Sequence, residues 1–239
     1  MLKDWSNVII PEEEEINERL EKARNKLVQQ QILIMQKKLP VLVSFDGWGA
    51  AGKGSILGKI IKNIDPRFFK VAVMDKPTED EKRRPFLYRY VINIPEAGKF
   101  TFMDGGCLDE VTKQKLSGKI TDEEYKRKIE SVKRFERQLS DNGYLVIKFF
   151  FHIGEQEQRK RLTRLLDDKN TRWRVSEYDW WQNQHYKKSL KAFDQFIDDT
   201  SQSIAPWYIV DATDKKWAQL QILETLVQAI DTALKNSTL

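Results

Sequence analysis

Val41-Leu42-Val43-Ser44-Phe45-Asp46-Gly47-Trp48-Gly49-Ala50-Ala51-Gly52-Lys53-Gly54-Ser55 begins as an apolar run, turns through glycines, and continues into Ile56-Leu57-Gly58-Lys59-Ile60-Ile61. That order predicts a buried strand, a tight loop and the start of a helix. In such a loop the glycines allow backbone shapes that bring successive N–H groups, and the positive end of the helix, onto anionic phosphate. Residues 47–54 match G-x-x-x-x-G-K-[ST] except at Gly54, which replaces a hydroxyl that helps hold magnesium. Phosphate contacts are therefore expected from Gly47, Gly49, Ala50, Ala51, Gly52, Lys53, Gly54 and Ser55, with the metal leaning on an acid from elsewhere.

Further apolar runs recur along the chain. Lys70–Met74 reads as a second buried strand and Phe100–Asp104 as a third, ending in an acid before the flexible pair Gly105-Gly106. Tyr144–Phe151 is apolar apart from Lys148, the pattern of a central strand, and Trp207–Val210 reads as the last. Helical stripes lie between them. Ile16, Leu20, Ala23, Leu27 and Ile34 mark a leading helix within residues 1–39, with Pro11 suited to its first turn. Val28, Ile32 and Met35 widen its apolar surface, toward the core first and a second subunit otherwise. One helix is expected from Thr78 to Val91, helical segments over about 112–140, and a lid over 155–190. Strand and helix alternation predicts an α/β fold, a parallel sheet sandwiched by helices. The carboxyl ends of its strands share one edge, so Asp104 faces Lys53 and is the candidate metal ligand. His152 is expected to be a satisfied structural residue. Trp173, Tyr178, Trp180, Trp181 and His185 are expected to pack the lid on the core, with base stacking as the other use.

Composition narrows the possibilities. The 239 residues, 40% hydrophobic, suffice for one sizeable core and are short for two ordinary domains. A net charge of +5 is too mild for a chain that coats nucleic acid and suits one basic groove for a small polyanion. The lone Cys107 forms no intrachain disulfide and no cysteine metal site, which fits a reducing cytoplasm. Neither a secretory signal nor a membrane span is expected.

In Phe45 through Gly54, Lys76-Pro77-Thr78, Arg84 through Tyr90, Phe135 through Leu139, Lys148 through Ile153, Arg172-Trp173-Arg174, Asp179-Trp180 and Ala205-Pro206-Trp207, the chain resembles the family-2 polyphosphate kinases. It is most similar to their polyphosphate:AMP phosphotransferase branch, from about residue 40 onward. The resemblance implies a P-loop kinase fold with a helical lid, transferring phosphate with Mg²⁺ between inorganic polyphosphate and a nucleoside mono- or diphosphate, AMP or ADP. It implies that Lys53 holds the transferring phosphate and Asp104 the metal. Arg89, Arg161 and Arg174 then reach nucleotide or polyphosphate as the lid closes, and a homo-oligomer is expected. Two positions depart from the family pattern. Gly49 stands where the family carries a carboxylate, and Gly105 where it carries arginine, so Gly49→Asp with Gly105→Arg is expected to raise turnover. Two other readings stay open: a polyphosphate- or nucleotide-binding homologue with little or no catalysis, and an ATP-dependent nucleoside-monophosphate kinase.

Overall fold

The five apolar runs become five parallel strands. A computed structural model describes Leu2 and residues 10–236. Among these, β1 (Val41–Gly47), β2 (Phe69–Val73), β3 (Phe100–Asp104), β4 (Leu145–His152) and β5 (Trp207–Asp211) form one sheet, ordered β2-β3-β1-β4-β5. Every neighbouring pair is parallel, and the register sets Asp104 beside Phe45 at one edge. The helices are α1 (Glu13–Gln36), α2 (Lys53–Ile61), α3 (Glu79–Lys82), α4 (Tyr88–Val91), α5 (Cys107–Leu116), α6 (Asp122–Asp141), α7 (Glu155–Asp167), α8 (Glu177–Gln184), α9 (Tyr186–Thr200) and α10 (Lys215–Asn236). α1, α2 and α10 pack together as one layer, and α5, α6 and α9 as another. No described helix is long and apolar enough to cross a membrane.

Several expectations are corrected here. β2 is an edge strand and not a buried one, with Val71 and Val73 36% and 58% exposed. β-branched residues suit a half-covered pleat as well as a core, so composition alone does not separate the two. The leading helix starts at Glu13, and Pro11 lies before its N-cap Glu12; Met1 and residues 3–9 lie outside the described residues. Its stripe is buried as expected and is joined by Gln30, whose Nε2 donates to Val227 O and Asp231 Oδ1, both at 2.8 Å. Val28, Ile32 and Met35 face solvent and not the core. The Thr78–Val91 segment is two short helices, because Pro85 lacks the N–H that a continuing helix would use. The 112–140 segment divides likewise, α6 restarting at Thr121 in a capping box with Glu124.

Lys148, the exception in β4, is resolved by a partner on α6. Its Nζ lies 2.8 Å from both oxygens of Glu136 and 3.0 Å from Thr200 O, above the Trp207 ring, and both charged side chains are buried. Such a pair adds little net stability, yet removing one member leaves an uncompensated buried group. Lys148→Met is therefore expected to cost about 3–5 kcal/mol in urea unfolding, and Lys148→Met with Glu136→Leu to recover most of that loss.

Candidate active site

The loop after β1 is shaped by what takes its carbonyl oxygens. Lys53 Nζ donates to Gly47 O and Trp48 O, both at 3.0 Å. Gln158 Nε2 donates to Gly49 O at 3.3 Å, and Arg161 Nη1 to Ala50 O and Ala51 O at 3.5 and 3.2 Å. Ile56 N, the first α2 amide with a helical acceptor, takes Gly52 O at 3.0 Å. Gly52 sits at φ +95°, a left-handed shape that glycine adopts without cost, and no side chain caps the helix. The amides of Ala50, Gly52, Lys53, Gly54 and Ser55 are left without an acceptor among the described residues. Two of the expected phosphate contacts are otherwise engaged: Gly49 N donates to Gln182 Oε1 at 3.2 Å, and Ala51 N to Trp48 O at 3.2 Å. Trp48 anchors the crest, fully buried, stacked on Tyr186 at 4.1 Å and donating to His152 Nδ1 at 3.3 Å. Burial holds His152 below its ordinary pKa, which suits it to accept.

Acids gather opposite these amides. Asp104, at the end of β3, places Oδ2 3.2 Å from where a Cβ on Gly54 would stand, which accounts for the missing hydroxyl residue there. Its carboxylate has no hydrogen-bond partner among the described residues; burial raises its pKa, Lys53 pulls it down and Asp75 adds a smaller push upward. Asp46 is buried, accepts from Gly106 N at 2.9 Å, and is pushed up to about 7 by burial and then Asp109, against Gly106 N–H and Lys53. Burial likewise raises Asp109, which Lys53 and Lys113 oppose. Lys53 is thus the cation common to three carboxyl groups. No set of three or more metal-ligating side chains is assembled among the described residues. A divalent cation that takes one or two carboxylates and otherwise phosphate oxygens and water fits Asp104.

The expected arginines occupy three different settings. Arg161 is buried, with Nε on Glu157 Oε1 at 2.6 Å, Nη1 on the loop carbonyls, and Nη2 on Ala212 O and Thr213 O at 2.9 and 2.7 Å. It braces the loop from behind. Arg89 is buried, donates to Asp75 O at 2.6 Å, and its Nε makes no hydrogen bond but lies 3.9 Å from Glu81 Oε1, with Nη1 3.8 Å from Glu110 Oε2. Arg174 is exposed beside Trp173, which is itself 76% exposed and so departs from the expected packing of the lid. The other lid aromatics stack on one another, Tyr178 on Trp181 and Trp181 on His185. Around the loop, Lys59, Arg161, Arg164, Arg174 and Lys215 form a basic rim. Lys215 is held below its ordinary pKa by partial desolvation and then by those four cations.

The geometry raises a steric objection to the Gly49→Asp and Gly105→Arg pair. A Cβ on Gly49 would lie 2.1 Å from Asp179 Oδ1, and Gly105, at φ +94° and 3.2 Å from Met74 Cβ, sits where a side chain is strained. Nor is the Gly105-Gly106 pair loose, since Gly105 N donates to Phe45 O at 3.0 Å and Gly106 N to Asp46. No site role is assigned to Asp179, Gln158, Gln182 or Asn183 from the sequence, although Asp179 lies in a stretch that carries the resemblance and in the Ser176-x-x-Asp179 cap of α8.

Comparisons with known proteins bear on the family. Residues 11–238 match the family model described as Polyphosphate kinase 2 (PPK2). A polyphosphate:AMP phosphotransferase of Pseudomonas syringae pv. tomato is 32% identical over 197 residues, 82% of this chain and 40% of the relative. An ADP-polyphosphate phosphotransferase 3 of Rhizobium meliloti is 28% identical over 190 residues, 80% of this chain and 67% of the relative. A crystallised Pseudomonas aeruginosa PA01 protein described as a polyphosphate kinase 2 superposes with a TM-score of 0.92 at 28% identity, covering 99% of this chain and 51% of that one. The chain thus spans about two fifths of the first relative and half of the crystallised protein. With the sheet, the loop and nearly the whole length matched, the chain belongs to the polyphosphate kinase 2 family.

Proposed function

We propose that this chain is a phosphate-transferring unit that moves phosphate between inorganic polyphosphate and a nucleoside mono- or diphosphate, AMP or ADP, with Mg²⁺. The observation that carries this reading is the basic rim beside the acceptor-free amides. Lys59, Arg164, Arg174 and Lys215 have no ion-pair partner among the described residues, and their mutual repulsion is relieved by a linear polyanion laid across them. Phosphoryl transfer asks the protein for positioning and charge neutralisation. The amides of Gly52 to Ser55 and the Lys53 ammonium would receive the transferring phosphate. Asp104 would hold Mg²⁺, which when bound neutralises phosphate oxygens. Arg161 would keep the loop in shape, and Arg89, whose Nε makes no hydrogen bond, would turn toward the nucleotide. The names of the relatives support polyphosphate with AMP or ADP as the substrate pair. The exposed row Val28, Ile32 and Met35 supports self-association through α1, and the single free cysteine supports a reducing, cytoplasmic setting.

The test is ADP formation from AMP with polyphosphate or ATP as donor. Polyphosphate is expected to serve and Lys53→Ala to lower the rate by two to three orders of magnitude. Turnover with ATP alone would make the chain a nucleoside-monophosphate kinase, and polyphosphate binding without turnover a binding homologue. Arg164→Ala with Lys215→Ala is expected to raise the KM for polyphosphate about tenfold and to weaken its salt dependence. A polyanion raises the pKa of Lys215, so binding takes up a proton; affinity is full below the lowered free-state pKa and falls as pH rises through it. Lys215→Arg is expected to move that loss to higher pH, measured by titration calorimetry with polyphosphate.

A further inference from the structure

Helices α7 and α8 meet the crest of the loop at a single residue, Gly49. Gly49 N donates to Gln182 Oε1, and Gly49 O accepts from Gln158 Nε2. Asn183 Nδ2 donates to Gln158 Oε1 at 3.1 Å and to Glu155 O at 2.9 Å, closing the network between α7 and α8. Gln158, Gln182 and Asn183 are 0%, 1% and 5% exposed, so these amides are committed to one another and to the loop. Asp179, one turn before Asn183, is fixed by accepting from Ser176 N at 2.7 Å and Ser176 Oγ at 2.8 Å through Oδ2. Its other oxygen fills the space over Gly49, and its charge is felt by Asp109 beside Lys53.

We infer that α8 is a latch on the phosphate loop, with Gln158 and Gln182 as positioning residues and Gly49 as the keyhole for Asp179. The amides of Gln158 and Gln182 hold both backbone polar groups of Gly49. That constraint turns the following amides inward, and the same contact delivers Asp179 to the reacting edge. Glycine at 49 is then a fitted part of the site, since the volume of any side chain there is already occupied by the lid. The effect on turnover rests on the proposed function; the docking itself does not.

The experiment is a double-mutant cycle on the full chain with two readouts. Gly49→Ala adds a methyl group where Asp179 stands. It is expected to speed tryptic cleavage at the exposed Lys169, Arg172 and Arg174 at least fivefold and to raise the KM for polyphosphate at least tenfold, at unchanged Tm. In the Asp179→Gly background the same substitution is expected to change either readout less than twofold. Equal effects in the two backgrounds overturn the latch. Gln182→Leu, which removes the acceptor for Gly49 N without crowding the loop, is expected to release the lid as well, and a lid as protected as the wild type's would also overturn it. Absence of turnover in the wild type defeats the proposed function, while the cleavage rates still decide the latch.

Discussion

A peptide loop becomes an anion receptor only when its carbonyls are turned away and held there, and this requirement organises the site. From Gly47 to Gly52 each carbonyl oxygen has a donor: Lys53 takes the first two, Gln158 the third, Arg161 the next two, and the α2 backbone the last. The donors come from two elements, α2 directly after the loop and α7 more than a hundred positions away. With the oxygens engaged, the N–H groups of Ala50 and of Gly52 to Ser55 are left without an acceptor among the described residues, and the positive end of the α2 dipole adds to the last of them. The parallel sheet supplies the frame, because it ends β1, β3 and β4 at one level and thereby brings Asp104 beside the loop.

Charge is arranged on the same plan. Lys53 stands among Asp46, Asp104 and Asp109, all three pushed upward in pKa by burial and all three drawn down by its ammonium. Three partly protonated acids beside one ammonium lower the negative charge of the inner site, while Lys59, Arg164, Arg174 and Lys215 of the outer rim have no ion-pair partner among the described residues. A polyanion would thus meet cations first and backbone donors next. Arg161 belongs to both layers, since its charge is felt at Lys215 although its donors are all spent on the protein.

The parts of the molecule that were legible in the sequence are those with local signals. Run length and apolar content located all five strands, and Gly52-Lys53 after a strand located the loop, because these features depend on neighbouring residues alone. Pro85 is also a local sign, and a single helix drawn from Thr78 to Val91 passed over it. Other features have no local expression. Whether β2 is central or at an edge depends on what packs over it, and Val71 and Val73 look the same either way. The direction of Arg161 depends on carbonyls about 50 and 110 positions away, and Lys148 has its acid on another helix. Gln158, Gln182 and Asn183 carry no periodic or charge signal, so only the fold reveals that they meet at Gly49.

Three glycines at the site, Gly49, Gly54 and Gly106, share one physical feature. A Cβ on Gly54 would stand 3.2 Å from the carboxylate of Asp104, one on Gly49 2.1 Å from that of Asp179, and one on Gly106 2.2 Å from that of Asp46. At each place a small residue faces an acid supplied by a different element: the end of β3, the lid and the end of β1. A side chain at any of the three would have to displace a carboxylate that is itself held by a cap, a buried backbone donor or the field of Lys53. The acids and the glycines are therefore one packed arrangement. A group added at any one of the three glycines enters space that a carboxylate already occupies, so substitutions at the glycine and at the facing acid are coupled.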